Sequence, residues 1–288
     1  MIIKSLINGF QQVIRNKRIV LIFYLFNLLF GILLMLPFRG PMSKVVGHSL
    51  MGEKLAGRFD FNFLIDFLAH SENALPAISA SLLIFPFLYM LLSLFLSGGT
   101  LSVFITGQTY QSSRFWGDSA RYFGRFILLG LLMIPVYIIL FLLPMIWNGI
   151  QRLIWGSDPY QNILYWGGWL KVVLRYIGIY LATMIFDYAR IYVIETDETK
   201  MLIALKQGFL FVFRNLIRTA GFVFLIVIIG VVVLILYNLI ANILALPNVF
   251  VIILLLLVQQ AYMIFRMMLR LTLFAGQVHL YQNIDSEE

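Results

Sequence analysis

The residues best suited to chemistry are an aspartate and three arginines in otherwise apolar stretches. Asp187 and Arg190 are three residues apart in FDYARIYVIE, and Arg266 and Arg270 are four residues apart in a later stretch. Charge is costly inside a membrane unless it is paired or reaches the interface. We therefore predict an ion-pair or headgroup-binding cluster of these four residues, in which Asp187 holds one arginine in place for an anion. Alternatively, the arginines snorkel to the headgroups, which the short Asp187 side chain cannot do.

The sequence contains none of the common catalytic or nucleotide-binding motifs. The patterns GxxxxGK[ST], GxGxxG, HExxH and GxSxG are absent, and the lack of cysteine excludes thiolate catalysis and cysteine-ligated zinc. His48, His70 and His279 are scattered without a clustered carboxylate or thiol, so we expect solvated histidines. We predict no catalytic residue, no metal and no cofactor, and a membrane-bound lipid-modifying enzyme is the least favoured class.

A small polar segment of the chain has two interpretations. Ser97, Gly98, Gly99 and Thr100 follow Pro86 within one long apolar run. A helix break there would expose amide groups that can hold an anion. The alternative is a kink or a place where two helices approach closely.

The elements that must position these residues are membrane-spanning helices. Hydrophobic residues make up 61% of the 288 residues and charged residues 12%, whereas about a quarter of a soluble domain is charged. The apolar runs match the roughly 20 helical residues that cross a bilayer. The predicted fold class is an all-α polytopic integral membrane protein with one transmembrane domain over residues 1–288. Six spans are predicted, near residues 19–37, 79–105, 126–147, 170–192, 219–241 and 249–270.

The basic residues predict the orientation of the spans. Of the 21 lysines and arginines, 14 fall on the side of the N-terminus in this arrangement, so both termini are predicted to be cytoplasmic. The net charge of +8 is concentrated beside the spans, which favours lipid headgroups over nucleic acid as partners. The predicted interfacial basic residues are Arg15, Lys17, Arg18, Arg121, Arg125, Arg214 and Arg218.

Three amphipathic segments precede the first, third and fifth spans. Residues 2–16, 112–125 and 198–214 combine an apolar stripe with basic residues at helical spacing, which is typical of helices that lie flat at the headgroups. We call them elbow helices. They divide the chain into three candidate repeat units, 1–106, 107–195 and 196–288.

The repeat is supported by one sequence match. GFQQVIRN, which begins at Gly9, and GFLFVFRN, which begins at Gly208, share five of eight residues. The middle unit is fainter, with Gly117 falling where Gly9 stands. The alternative is convergence, because any such elbow favours glycine, an aromatic residue, arginine and asparagine.

Residues 38–78 form the predicted extracytoplasmic loop. An apolar stripe beside Asp60 and Asp66 predicts an amphipathic helix on the outer leaflet. The residues of this stripe are Phe61, Leu64, Phe67 and Leu68.

Several segments resemble those of a loose group of bacterial six-span inner-membrane proteins. The SGGT segment, FWGDSARYFGRF and DYARIYVIETDETKMLIALKQGFLFVFRN are similar to proteins like YciC and to the membrane domain attached to some glycerophosphodiester phosphodiesterases. The resemblance implies a bacterial inner-membrane protein connected with envelope or phospholipid homeostasis. No catalytic residues can be assigned to this sequence from the resemblance, and the soluble phosphodiesterase domain of some relatives is absent from this sequence.

These observations favour a non-enzymatic inner-membrane protein that contacts anionic phospholipid and organises or moves lipid. The alternative is a permease-like transporter of a small anionic or hydrophobic solute, with polar residues in the spans along its path. The expected partners are membrane lipids. A membrane-protein partner and a homo-oligomer both stay open.

Overall fold

The computed structural model describes residues 1–47, 60–70, 75–156, 160–244 and 249–285. These residues are almost entirely helical and include no β-strand. The helices are α1 (Ile2–Arg15), α2 (Lys17–Val46), α3 (Phe61–His70), α4 (Leu75–Thr106), α5 (Ser112–Phe141), α6 (Leu143–Trp155), α7 (Gln161–Thr196), α8 (Met201–Arg214), α9 (Leu216–Ile243) and α10 (Val249–Asp285).

Six helical stretches within the described residues are long and apolar enough to cross a membrane, which confirms the predicted all-α membrane architecture. The third combines α5 and α6, and the other five correspond to α2, α4, α7, α9 and α10. Each predicted span falls inside one of these stretches. An even number of spans returns the chain to the face where it begins, which we call the terminal face.

Helices α4, α7 and α10 form the centre of the bundle, and we call them the inner trio. Each of the three contacts the other two. The remaining spans lie outside the trio: α2 contacts α4 and α10, α5 contacts α4 and α7, and α9 contacts α7 and α10. Every outer span therefore lies against two helices of the trio.

The bundle is buried most continuously in the half that adjoins the terminal face. Residues 96–104 of α4 are all buried, and most residues between 182 and 194 of α7 are buried as well. In contrast, none of residues 82–95, 227–243 or 249–266 is buried. We call these parts, which lie away from the terminal face, the distal halves of the spans. Leucine, isoleucine and valine dominate them, and lipid tails solvate such side chains as well as another helix would. Packing of the spans against one another in their distal halves therefore brings little stabilisation over contact with lipid.

Two of the three predicted elbow segments are separate helices. Asn16 ends α1, where its Nδ2 donates to the Gln12 carbonyl at 2.9 Å and its Oδ1 accepts from the backbone N–H of Tyr110 at 2.8 Å. Asn215 ends α8 with a similar backbone conformation. The arginine-asparagine pair shared by the two matched segments therefore marks the end of each helix.

The middle segment differs, because residues 112–125 continue into the span without interruption as the first half of α5. No asparagine follows Arg125, and nothing else there ends the helix. Gly117 also fails to correspond to Gly9, since Gly117 is exposed with open space where a Cβ would stand. The contact with α4 is made instead by Ser119, whose Oγ accepts the Gly99 N–H at 3.2 Å.

Helices α1 and α8 each approach a helix of the inner trio through a glycine. A Cβ at Gly9 would stand 2.8 Å from the backbone nitrogen of Gly276 in α10. A Cβ at Gly208 would stand 2.8 Å from the backbone nitrogen of Ala189 in α7. Both contacts are with backbone, which cannot rotate away as a side chain can.

We expect Gly208→Ala to lower the free energy of unfolding by about 1–3 kcal/mol, the usual cost of overpacking. Thermal unfolding in detergent, followed by circular dichroism, would measure the loss. Gly117→Ala is the matched control, because its Cβ meets open space and alanine gains about 0.5–1 kcal/mol over glycine in a helix. Equal stability of the two variants would contradict the close packing of α8 on α7.

The predicted loop 38–78 is partly helical in the described residues. Helix α2 continues through Pro37 and Pro41 to Val46, although each proline lacks the N–H that would donate within the helix. Helix α3 forms as predicted, but its buried residues are Phe63 and Phe67, which pack on Ile78. Phe61 of the predicted stripe is 63% exposed, whereas Phe67 of the same stripe is buried, and the position of this helix on the outer leaflet stays a prediction. His48 and the side chains of Leu68 and His70 lie outside what the structure describes.

Candidate functional site

A buried ion pair joins the three helices of the inner trio. Asp187 and Arg190 of α7 are 4% and 5% exposed, and an Nη of Arg190 contacts the Asp187 carboxylate directly. The second carboxylate oxygen accepts from Nε2 of Gln277 in α10 at 3.1 Å. Arg190 Nη1 donates to Ser97 Oγ in α4 at 3.0 Å. One polar residue from each of the other two helices therefore fixes the pair.

Three aromatic rings surround the Arg190 guanidinium. Its central carbon lies 4.5 Å from the ring centroid of Phe186, 5.3 Å from that of Phe274 and 5.8 Å from that of Phe126. The negative faces of aromatic rings attract a cation most strongly where water is excluded. The rings therefore offset part of the desolvation cost of Arg190, and its position is closely defined.

Arg270 of α10 lies in a different environment. It is half-buried, and its Nη1 and Nη2 donate to Tyr89 OH at 3.1 Å and to Ser93 Oγ at 2.6 Å, both in α4. Tyr89 in turn donates to Asn27 of α2 at 2.9 Å. Among the described residues, Arg270 has no carboxylate within 4.0 Å. Its charge is hydrogen-bonded but not neutralised.

The two arginines share one cavity, which we call the trio cavity. Its volume is about 440 Å³, and it lies between α4, α7 and α10. Its wall includes Met90, which is 50% exposed, so the cavity is open on that side. The lining residues are Tyr89, Met90, Ser93, Leu94, Thr183, Phe186, Asp187, Arg190, Arg270, Leu273 and Phe274. Two arginines and one aspartate give this lining a formal charge of +1.

Three of the four residues predicted as a charged cluster line this cavity, and the fourth does not. Arg266 is exposed and lines a neighbouring cavity of about 540 Å³ between α9 and α10. Arg270 lines both cavities. Arg266 is one helical turn before Arg270, in the part of α10 where no residue is buried, so it is separated from the Asp187 pair.

The predicted helix break at Ser97, Gly98, Gly99 and Thr100 is absent, because α4 is continuous from Leu75 to Thr106. Thr100 Oγ1 donates to the Leu96 carbonyl at 2.8 Å within the helix. The two glycines instead let α5 approach, and a Cβ on Gly98 would lie 3.3 Å from the Tyr122 side chain. Small residues permit this spacing, so close helix packing explains the segment. Ser97 has the additional role of binding Arg190.

Several residues of the site were not predicted from the sequence, although they share one pattern. Tyr89, Ser93 and Ser97 are four residues apart, so they form a polar stripe along one face of α4. Gln277 lies seven residues beyond Arg270 on α10, which is nearly two full turns. Searching for polar residues at helical spacing within each span would have found both.

The predicted interfacial basic residues lie near the terminal face, and two of them bind a loop aspartate. Arg121 Nη2 and Arg125 Nη1 of α5 each lie 2.6 Å from the carboxylate of Asp197, which follows α7. Asp197 has φ = 51°, a left-handed conformation. The other five predicted residues are exposed: Arg15, Lys17, Arg18, Arg214 and Arg218.

The link from Asp197 to α5 is expected to weaken in acid. The hydrogen bond from Arg125 holds the pKa of the Asp197 carboxyl below its ordinary value of 3.8. Because this pKa is lowered in the folded state, the contact contributes fully to stability when the pH is above the pKa of the unfolded state. This contribution is lost as the pH falls through the pKa of the folded state. Between about pH 5 and about pH 3, the melting temperature of the wild type should fall more than that of Asp197→Asn. Asparagine also tolerates the left-handed conformation, so this substitution isolates the charge. Identical acid profiles would contradict the prediction.

Comparison of the chain with known protein families, with curated proteins and with solved structures gives no match. The resemblance to the YciC-like group therefore stays a prediction.

Proposed function

We propose that this chain is a non-enzymatic inner-membrane protein that binds an anionic phospholipid in the trio cavity and thereby organises or moves lipid. The observation that carries the proposal is Arg270, a half-buried guanidinium whose hydrogen-bond partners are hydroxyl groups. A buried charge without a counter-charge is costly. An anionic headgroup would supply the missing negative charge.

The rest of the trio cavity suits an acyl chain. Apart from its charged residues, the lining of the cavity is mainly apolar, and the distal halves of the spans are loosely packed. Arg270 binds Ser93, which is 13 residues before the end of α4, or about 20 Å at 1.5 Å per residue. A headgroup at the arginines would therefore sit below the terminal face, and its chains would extend between the distal halves.

The elbow helices are proposed to lie on the membrane surface. In α1 the buried residues are Ser5, Gly9 and Val13, whereas the exposed residues include Ile3 and Ile7 at 67% and 50%. An exposed apolar face next to basic residues is expected of a helix at the headgroups. We propose that anionic lipid gathers there beside the exposed basic residues.

The three candidate repeat units are proposed to form a closed ring. Gly99, Ala189 and Gly276 occupy similar places in α4, α7 and α10, and each contacts the elbow segment that follows it. For Gly276 the following segment is α1, at the other end of the chain. This cyclic arrangement supports the units 1–106, 107–195 and 196–288. It would place the Asp187 pair near the common axis.

The proposed location is a bacterial inner membrane with both termini in the cytoplasm. The excess of basic residues on the terminal face supports this orientation. On this view the headgroup bound in the trio cavity belongs to the cytoplasmic leaflet.

Native mass spectrometry of the purified protein would test lipid binding. We expect anionic phospholipid to remain bound after exchange into detergent and to be replaced by added anionic lipid but not by zwitterionic lipid. Release of all lipid at low detergent concentration would refute the proposal.

The second candidate is a permease-like transporter of a small anionic or hydrophobic solute. The observation that favours it is the Asp187 pair, which closes the trio cavity toward the terminal face as a gate would. A flux assay in proteoliposomes distinguishes the two functions. Saturable uptake of a small anion by the wild type would favour the transporter, and its absence would favour lipid binding.

A further inference from the structure

We infer that the trio cavity selects amphiphiles whose headgroup carries a single negative charge, and that Asp187 sets this selection by neutralising Arg190. The inference rests on the proposed function. It follows from the three charged residues of the cavity lining, Asp187, Arg190 and Arg270. One arginine is already paired, so one positive charge is available to a ligand.

A ligand with one negative charge completes this set of charges. A second negative charge would have no positive charge left to pair with among the described lining residues, because the charge of Arg190 is already compensated by Asp187. In a site with apolar walls, an uncompensated charge is costly. The cavity is therefore expected to discriminate against dianionic headgroups, although a simple cationic surface would prefer them.

Zwitterionic headgroups are disfavoured for the complementary reason. Their ammonium group would need a carboxylate, and Asp187 is the one carboxylate in the lining. One of its oxygens accepts from Arg190 and the other from Gln277. Its charge is already compensated by Arg190, so an ammonium group would add an uncompensated positive charge to the cavity.

Arg270 provides suitable geometry for an anion with two oxygens. Its two terminal nitrogens donate to the hydroxyl oxygens of Tyr89 and Ser93. Each hydroxyl can rotate so that its own O–H donates to a ligand. A guanidinium binds a phosphodiester or a carboxylate through two parallel hydrogen bonds. The apolar residues Met90, Leu94 and Leu273 beside it favour an amphiphile over a free anion.

The decisive substitution changes the charge at Ser93. Asp187→Asn would also break a buried ion pair and lower stability, whereas Ser93 is only half-buried. Ser93→Asp would give Arg270 a carboxylate partner and reduce the formal charge of the cavity lining from +1 to 0. Ser93→Asn is the matched comparison, because it removes the same hydroxyl and adds a side chain of the same size without charge.

The experiment is competition between lipids for the purified full-length chain, read by native mass spectrometry. The probes are phosphatidylglycerol with one negative charge, phosphatidate with a second ionisable oxygen, and zwitterionic phosphatidylethanolamine. For the wild type we expect phosphatidylglycerol to exceed phosphatidylethanolamine by about tenfold or more and phosphatidate to show no further gain. The preference for phosphatidylglycerol should be at least about tenfold weaker in Ser93→Asp than in Ser93→Asn. Size-exclusion chromatography verifies that both variants are folded.

The outcomes distinguish failure of the charge selection from failure of the proposed function. Equal preferences in Ser93→Asp and Ser93→Asn, or a strong wild-type preference for phosphatidate, would overturn the charge selection while leaving lipid binding intact. Loss of all lipid binding from the wild type would overturn both. Displacement of the lipid by glycerophosphoglycerol, the soluble headgroup of phosphatidylglycerol, would show that the ligand is a free anion and overturn the inference.

Discussion

Replacing Arg270 with glutamine is expected to weaken the retention of anionic phospholipid by about 10- to 100-fold. A hydrogen bond to a charged group contributes about 1.5–3 kcal/mol, and about 1.4 kcal/mol corresponds to a factor of ten in affinity. Glutamine still donates to Tyr89 or Ser93 but removes the charge that lacks a counter-charge. The substitution should therefore weaken ligand binding more than it lowers the stability of the fold.

Native mass spectrometry of a lipid titration measures this effect, and Arg266→Gln is its matched control. Arg266 is one turn away on the same helix and makes the same change in net charge, but it lies outside the trio cavity. We expect Arg266→Gln to change retention by less than about threefold, as for a rim charge. If the two variants lose lipid equally, general surface charge rather than the trio cavity holds the lipid.

Replacing Asp187 with alanine is expected to have the largest effect on stability, a loss of about 3–5 kcal/mol. The substitution leaves Arg190 as a buried charge among three aromatic rings, and Gln277 loses its acceptor. Arg190 is too deeply buried and too closely packed to reach the headgroups easily. The cost is that of an uncompensated charge rather than of one missing contact.

The double variant Asp187→Leu with Arg190→Met should recover most of this loss. Removing both members of a buried ion pair together is often neutral or stabilising, because neither charge must then be desolvated. Thermal unfolding of Asp187→Leu, Arg190→Met and the double variant in detergent gives a double-mutant cycle. If the double variant were as unstable as the sum of the single variants, the pair would not be coupled as its geometry requires.

The spans could be predicted from the sequence because lipid imposes a local rule. Every backbone amide in the membrane interior must be hydrogen-bonded within its own helix, so a continuous apolar run of span length predicts a helix without knowledge of its neighbours. The stretches around Leu83 and Leu236 illustrate this, since they are helical although little of the protein packs against them. Their structure depends on the chain and the membrane alone.

The buried face of each helix and the pairs of helices that contact each other could not be predicted in the same way. Helix α3 has apolar residues on nearly all sides, and the contact with Ile78 selects Phe63 and Phe67 as its buried face. The SGGT segment was equally ambiguous between a helix break and a close contact. The neighbouring Ser119 on α5 decides between these two interpretations.

The sequence by itself determined that this protein has helices able to cross a membrane, and it identified Asp187, Arg190 and Arg270 as unusual within them. Hydrophobicity and helix length are properties of consecutive residues, so they can be read along the chain. Tertiary structure alone decided that Arg190 is neutralised while Arg270 is not, and that Arg266 lies elsewhere. Those differences depend on which side chains of α4, α7 and α10 meet, and residues 93, 187 and 270 become neighbours only when the three helices pack together.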